Sequence, residues 1–332
     1  MTVSTDTSAL AGVSAPATRL RSLGWVARRA AGGVFVLWAV ATVIFFALRL
    51  IPGDPVDAIL GGPGSQASAE AVDQIRAEYG LDRPLIVQYF LAMSKLVVAD
   101  FGTSYALKVA VAPYVLTQLW STLILTIASL VVAWLGALAL IISTSGRGRI
   151  SRALGSGLEL LAAAVPHFWL ASLLIILLSN TLNWLPPISV PGPLGLVLPV
   201  LTLALPLTGF LGQVMRESLA NAYEQPFVLS ARARGESEWG VRLRHVLRHA
   251  ALPGISLSGW AFGSLLSGAV VVETIFARPG LGRTLLNAVT IRDIPVVTAV
   301  ALLSALAFIV VTIATDVIDR IVDPRVTEVA TR

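Results

Sequence analysis

The 332-residue chain is 56% hydrophobic and 13% charged, carries a net charge of +5 and contains no cysteine. A charged fraction about half that of an ordinary soluble domain marks an integral membrane protein, and the lack of cysteine excludes disulfide frameworks, thiolate metal sites and cysteine nucleophiles. In such a protein the basic surplus reports topology loop by loop and does not signal nucleic-acid binding.

Residues 1–27 are rich in Ser, Thr and Ala and read as a disordered tail, in which Arg19 and Arg21 precede Arg28, Arg29 and an apolar run ending at Leu50. A helix of about 20 apolar residues spans a bilayer, so residues 28–50 are predicted as the first span. The following Ile51-Pro52-Gly53-Asp54 is not the small-residue site at which a secretory signal is cleaved, so the anchor is expected to be retained. Five further windows meet the same criterion, near 119–143, 158–179, 194–213, 255–275 and 295–315. Long continuous apolar runs argue against a barrel, and backbone groups in lipid then demand helices. The expected fold is an all-α integral membrane protein with six transmembrane helices, a core over 117–318 and a C-terminal tail over 319–332.

Arginine asymmetry gives the orientation. The N-terminal tail, the connection holding Arg147, Arg149 and Arg152, and the connection with six arginines from Arg216 to Arg248 are assigned to the cytoplasm. Residues 51–116, with seven acids against four basic residues, and the uncharged loop 180–193 belong outside. Parity of the spans also places Arg278, Arg283 and Arg292 outside and both termini inside. In the extracytoplasmic segment 51–116 a helix is predicted over 68–79, opened by Ser68 and closed by Gly80. A second, apolar helix over 85–98 is expected to lie along the membrane. Within the spans, Pro166, Pro199 and Pro206 free backbone carbonyls that need other partners. Thr208, Gln213 and Asn180 are polar groups suited equally to a translocation path and to bonding between helices.

Reactive groups are scarce. His245 and His249 have a metal-compatible spacing, but no acid follows in a HExxH arrangement and arginines flank both. Neither Lys95 nor Lys108 follows the glycines of a phosphate loop, so any ATP energy must come from a partner. Glu159, Glu273 and Asp316 stand at span ends, which gives little support to an ion relay. The arginine-rich connection 216–254 is more informative. Pro226 suits the first position of a short helix, Gly235 its left-handed cap, and Ser237 the cap of the next helix. In that second helix Trp239, Leu243, Val246, Leu247 and Ala250 are expected to share one face. On pattern alone this segment fits a docking site for another protein and a lipid-binding surface helix equally.

Arg232-Ala233-Arg234-Gly235, with Arg244-His245-Val246-Leu247-Arg248-His249 and Leu252-Pro253 further on, resembles the cytoplasmic "EAA" loop of bacterial ABC importer permeases. Further strings in order are similar to the B-type permeases of the dipeptide/oligopeptide/nickel family: Gly53-Asp54-Pro55, Tyr79-Gly80-Leu81, Asp100-Phe101-Gly102, Pro166-His167-Phe168-Trp169, Pro279-Gly280-Leu281-Gly282 and Asp323-Pro324-Arg325. The chain departs from the family-wide pattern at Leu229-Ser230, where Glu-Ala is usual, and at Arg248, where proline is usual. The resemblance implies a type I ABC importer permease fold with no ATPase motif or cofactor of its own. It implies pairing with a homologous C-type permease, two ATP-binding subunits carrying ATP and magnesium, and an extracytoplasmic solute-binding protein that delivers peptide or, alternatively, nickel or another small solute. It also implies that Ser230, Ala231, Arg232, Ala233, Arg234 and Gly235 contact an ATPase, with support from Glu224, Pro226, His245, Leu252 and Pro253. The rival of another class is a stand-alone secondary transporter or channel. The expected location is the bacterial cytoplasmic membrane.

Overall fold

The computed structural model describes residues 16–50, 56, 59–60, 68–78, 80–145 and 148–322. The helices in order are α1 (Pro16–Leu50), α2 (Ala69–Glu78), α3 (Leu85–Val97), α4 (Val111–Thr144) and α5 (Arg149–Ala164). There follow α6 (His167–Thr181), α7 (Leu194–Tyr223), α8 (Pro226–Ala233), α9 (Glu238–Ile275), α10 (Leu281–Thr290) and α11 (Ile294–Val322). Helices α1, α4, α7, α9 and α11 are each long and apolar enough to cross a membrane, and α5 with α6 forms a sixth, broken crossing.

Two expectations change. Residues 16–27, expected as disordered tail, already belong to α1. The window 158–179 is not one helix: α5 and α6 meet at 103°. Pro166 has no N–H to continue the helix and drives the preceding residue out of the helical region, and Val165 is extended at φ −79°, ψ 124°. By contrast Pro199 and Pro206 lie inside an unbroken α7. The carbonyl that Pro199 frees, at Gly195, accepts the Ser189 hydroxyl at 3.1 Å. The carbonyl freed by Pro253 in α9, at His249, accepts Ser218 Oγ at 3.3 Å.

Helix α7 is the hub. In its apolar window 61% of residues are buried, against 33% in α4 and 11% in α1. Small residues let neighbours approach, as is usual where helices cannot be driven together by water. A side chain on Gly209 would run into the α5 backbone at Ala163, and one on Gly136 of α4 would meet the Thr208 hydroxyl of α7.

Three buried carboxylates fasten the ends. Glu159 of α5 pairs with Arg216 of α7. Glu273 of α9 accepts Thr122 Oγ1 at 2.6 Å and the Arg283 amide at 3.1 Å. Asp293, leading into α11, accepts Ser104 Oγ at 2.5 Å and the amides of Tyr105 and Ala106. In the segment before α4, the Ser68 hydroxyl accepts the Ala71 amide and Gly80 has φ +64°, so α2 has the start and stop expected of it. Helix α3 buries none of its own residues. It is tied to α1 by Tyr89, whose hydroxyl meets Trp38 Nε1 and Thr42 Oγ1, and by Gln88, which accepts Arg49 Nη2. The strings 51–55 and 323–325, and Tyr79, lie outside the described residues.

Candidate functional site

The C-terminal end of α7 turns at Glu224 and Gln225 into α8, a two-turn helix opened by Pro226 at its first position. Val228 and Ala231 point inward and are buried with Val241, Val246 and Ala250, while Phe227 stacks on the His249 ring at 4.8 Å. The other face of α8 is open: Ser230, Arg232, Ala233 and Arg234 are exposed, and Leu229 is 72% exposed. Ser230 Oγ donates to the Pro226 carbonyl at 3.1 Å. Arg234 closes the last turn through its amide, and Gly235 follows at φ +80°, a left-handed position at which a side chain is strained. Ser237 then caps the next turn by accepting the Gly240 amide at 3.2 Å.

Charged side chains fix this turn. Arg232 makes a two-pronged pair with Glu238, Nε to Oε1 at 2.8 Å and Nη2 to Oε2 at 3.0 Å, and these hydrogen bonds hold the guanidinium above the ordinary arginine value. His245 Nε2 lies 2.8 Å from Glu236 Oε2. The two histidines thus serve different partners, an acid and an aromatic ring. Among the described residues no group of three His, Asp or Glu side chains could hold a metal ion.

The first part of α9 corrects the expected face. Residues 241–246 form a π-helical turn, which shifts the register by a fraction of a turn. Trp239 and Leu243 are consequently exposed, whereas Val241 and Arg242 are buried. Arg242 donates to the Tyr223 hydroxyl at 3.1 Å and to the Ile142 carbonyl at 3.2 Å, so it ties the loop to α4 and α7. With Arg152, Arg216, Tyr223, Glu224 and Arg232 it lines a polar cleft of about 470 Å³ beside α8.

The supporting positions separate. Pro226 and His245 adjoin α8, Glu224 faces the cleft, and Leu252 and Pro253 lie within α9. The three polar residues within the spans are not brought together. Thr208 Oγ1 donates to Ala204 and Ala133 carbonyls between α7 and α4, and Asn180 is exposed at the far end of α6. Gln213 keeps a buried Nε2 with no hydrogen-bond partner among the described residues. Sequence reasoning gave no outward role to Leu229 and missed the buried Arg242. An apolar residue opposite the buried Val228 and Ala231 was the available signal for the first; nothing in the spacing marks the π turn behind the second.

The architecture is a broken-span helical bundle with a short exposed helix between its central crossings, and the chain belongs to the family described as "Binding-protein-dependent transport system inner membrane component", matched over residues 135–328. The corresponding N-terminal family domain matches over 22–126. The chain is 35% identical over 305 residues to the glutathione transport system permease protein GsiC of Salmonella typhimurium (strain LT2) and to that of Escherichia coli (strain K12), covering 92% of this chain and 99% of each relative. Its fold is similar to the methionine ABC transporter MetNI in an inward-facing conformation, with a TM-score of 0.51 at 16% identity over 63% of this chain and 96% of that one. It is similar also to an amino acid ABC transporter, with a TM-score of 0.50 at 16% identity over 63% and 94%. The chain is therefore a multi-pass inner-membrane permease of the binding-protein-dependent, peptide-type ABC importers.

Proposed function

We propose that this chain forms half of a translocation path for peptides, paired with a homologous permease, and that α8 is the point at which a partner ATPase drives it. Substrate would be delivered by an extracytoplasmic solute-binding protein; ATP and magnesium would be held by the ATPase subunits. The observation that carries this reading is α8 itself, with Val228 and Ala231 buried and Leu229, Ala233 and Arg234 presented outward. A push on the outer face would pass through the buried one to α9 and, by the short turn at Glu224, to α7. Peptide as substrate is supported by the relatives that transport glutathione, a tripeptide. A ligand can shift the transporter between states only by contacting them differently, so the ATPases must hold α8 differently with and without ATP.

The test replaces Gly235, where nothing lies within 4 Å of an added Cβ but φ is +80°. In the reconstituted four-part transporter Gly235→Trp is expected to assemble yet lose uptake and substrate-stimulated ATP hydrolysis. Normal uptake by that variant, or uptake by this chain alone in liposomes, would count against the proposal.

A further inference from the structure

A second feature lies away from α8, between α1 and α11. There an open groove of about 440 Å³ runs from Arg28 and Arg29 along Gly32 and Gly33, with Phe308 and Ile309 as the facing wall. Glycines keep it open: a Cβ on Gly32 would meet nothing within 4 Å, and one on Gly33 only Ile309, at 3.2 Å. The polar group in the wall, Thr312, has its hydroxyl bound to the Phe308 carbonyl at 2.8 Å, so the groove is apolar in effect. At the mouth Arg29 pairs with Asp316 of α11 and joins the two walls. Arg28 is exposed, and its side chain makes no hydrogen bond or ion pair with another described residue.

Both walls belong to membrane-crossing helices. Lipid of one leaflet would then reach the groove, with the arginines toward the headgroups on the side that the sequence assigns to the cytoplasm. We propose that it binds one anionic phospholipid, with an acyl chain laid over Gly32 and Gly33 and the phosphate on Arg28 and Arg29. Charge complementarity selects this occupant: guanidinium groups match phosphate oxygens in geometry and sign, and basic pockets between crossing helices on the cytoplasmic side suit anionic headgroups. A zwitterionic lipid would fill the groove without answering the charge. Free phosphate would answer the charge and leave the groove empty. The bound lipid would hold α1 against α11, which matters because α1 is the least buried of the five unbroken crossings.

The test uses the assembled transporter, delipidated and then offered phosphatidylglycerol, phosphatidylcholine or inorganic phosphate, with retained ligand counted by native mass spectrometry. Phosphatidylglycerol should be retained about fivefold more than phosphatidylcholine, the electrostatic weight of about one basic residue at an anionic surface. Arg28→Gln should bring that ratio close to one. Gly32→Leu, which fills open space without a backbone clash, should reduce retention of both lipids. Because the chain has no cysteine, Gly32→Cys adds one labelling site to it, and its fluorophore should be quenched by chain-brominated phosphatidylglycerol. Equal retention of the two lipids, retention of phosphate alone, or wild-type behaviour of both variants would overturn the proposal. So would a shielded, unquenched label, since another subunit would then cover the groove. None of these readings depends on uptake, so they stand apart from the role proposed for α8.

Discussion

Arg216 of α7 holds Glu159 of α5 by two prongs, Nη2 to Oε1 at 2.5 Å and Nε to Oε2 at 2.7 Å, with the carboxylate fully buried. The same guanidinium donates to Thr144 Oγ1 at 2.7 Å, so one side chain joins the end of α4 to α5 and α7. Removing one member of a buried pair leaves the other charge uncompensated, at about 3–5 kcal/mol. Arg216→Met should therefore lower the melting temperature of the purified transporter sharply. Adding Glu159→Leu to Arg216→Met should restore most of that loss, because an apolar pair of similar volume has no charge to desolvate. A double variant no more stable than Arg216→Met would show that the hydrogen bonds, not the stranded charge, dominate.

Asp293 performs a comparable task at the other face. Its carboxylate accepts Ser104 Oγ and two amides of the loop before α4 while it leads into α11. Asp293→Ala would take the acceptor from the buried Ser104 hydroxyl, at a cost of about 1–3 kcal/mol, and from the amides of the half-buried Tyr105 and the exposed Ala106, which water can serve in part. The expected outcome is faster proteolytic cleavage near residues 103–110, with Asp293→Asn intermediate because its carbonyl oxygen still accepts. Cleavage kinetics by mass spectrometry measure this directly.

Two glycines of the α5–α7 pair should respond in opposite directions. An added Cβ on Gly209 would collide with backbone atoms of Glu159 and Ala163, whereas one on Gly157 meets nothing within 4 Å. Gly209→Ala should thus force α5 and α7 apart and lower the yield of folded protein, overpacking costing about 1–3 kcal/mol. Gly157→Ala should be neutral or raise stability by about 0.5–1 kcal/mol, the ordinary helix-interior difference between these residues. Melting temperatures of the two variants, purified side by side, decide it.

Local grammar was legible in the sequence and long-range pairing was not. Pro226, Gly235 and Ser237 announced α8 and its neighbours because each acts on its own backbone. Pro166 was visible as an interruption, but the same residue type at Pro199 and Pro206 left α7 unbroken. The difference between a kink and a break depends on packing around the freed carbonyl, such as Ser189 against Gly195. The partnership of Arg216 with Glu159 joins positions far apart in the chain, and no periodicity encodes it. The π turn at 241–246 rotates the buried face, so Leu243, expected to share a face with Val246 and Ala250, is exposed while Arg242 is buried. Of α8, the position and the flanking caps are readable in the sequence; the outward direction of Leu229 requires the packed neighbours.

A substitution at Leu229 would separate the docking proposed for α8 from folding. At 72% exposure it contributes little to the isolated fold, and an exposed substitution away from special contacts changes stability by about 0.5 kcal/mol or less. On the outer face of α8 it is instead the apolar side chain available to a partner, and full burial of a leucine contributes about 1.5–3 kcal/mol. Leu229→Asp should leave the melting temperature of the permease pair unchanged while weakening its hold on the ATPase subunits by about ten- to a hundredfold. Copurification of the ATPases at graded concentrations gives the affinity, and uptake should fall with it. Wild-type copurification and uptake in Leu229→Asp would move the docking surface off this face of α8, toward the arginine-lined cleft beside it.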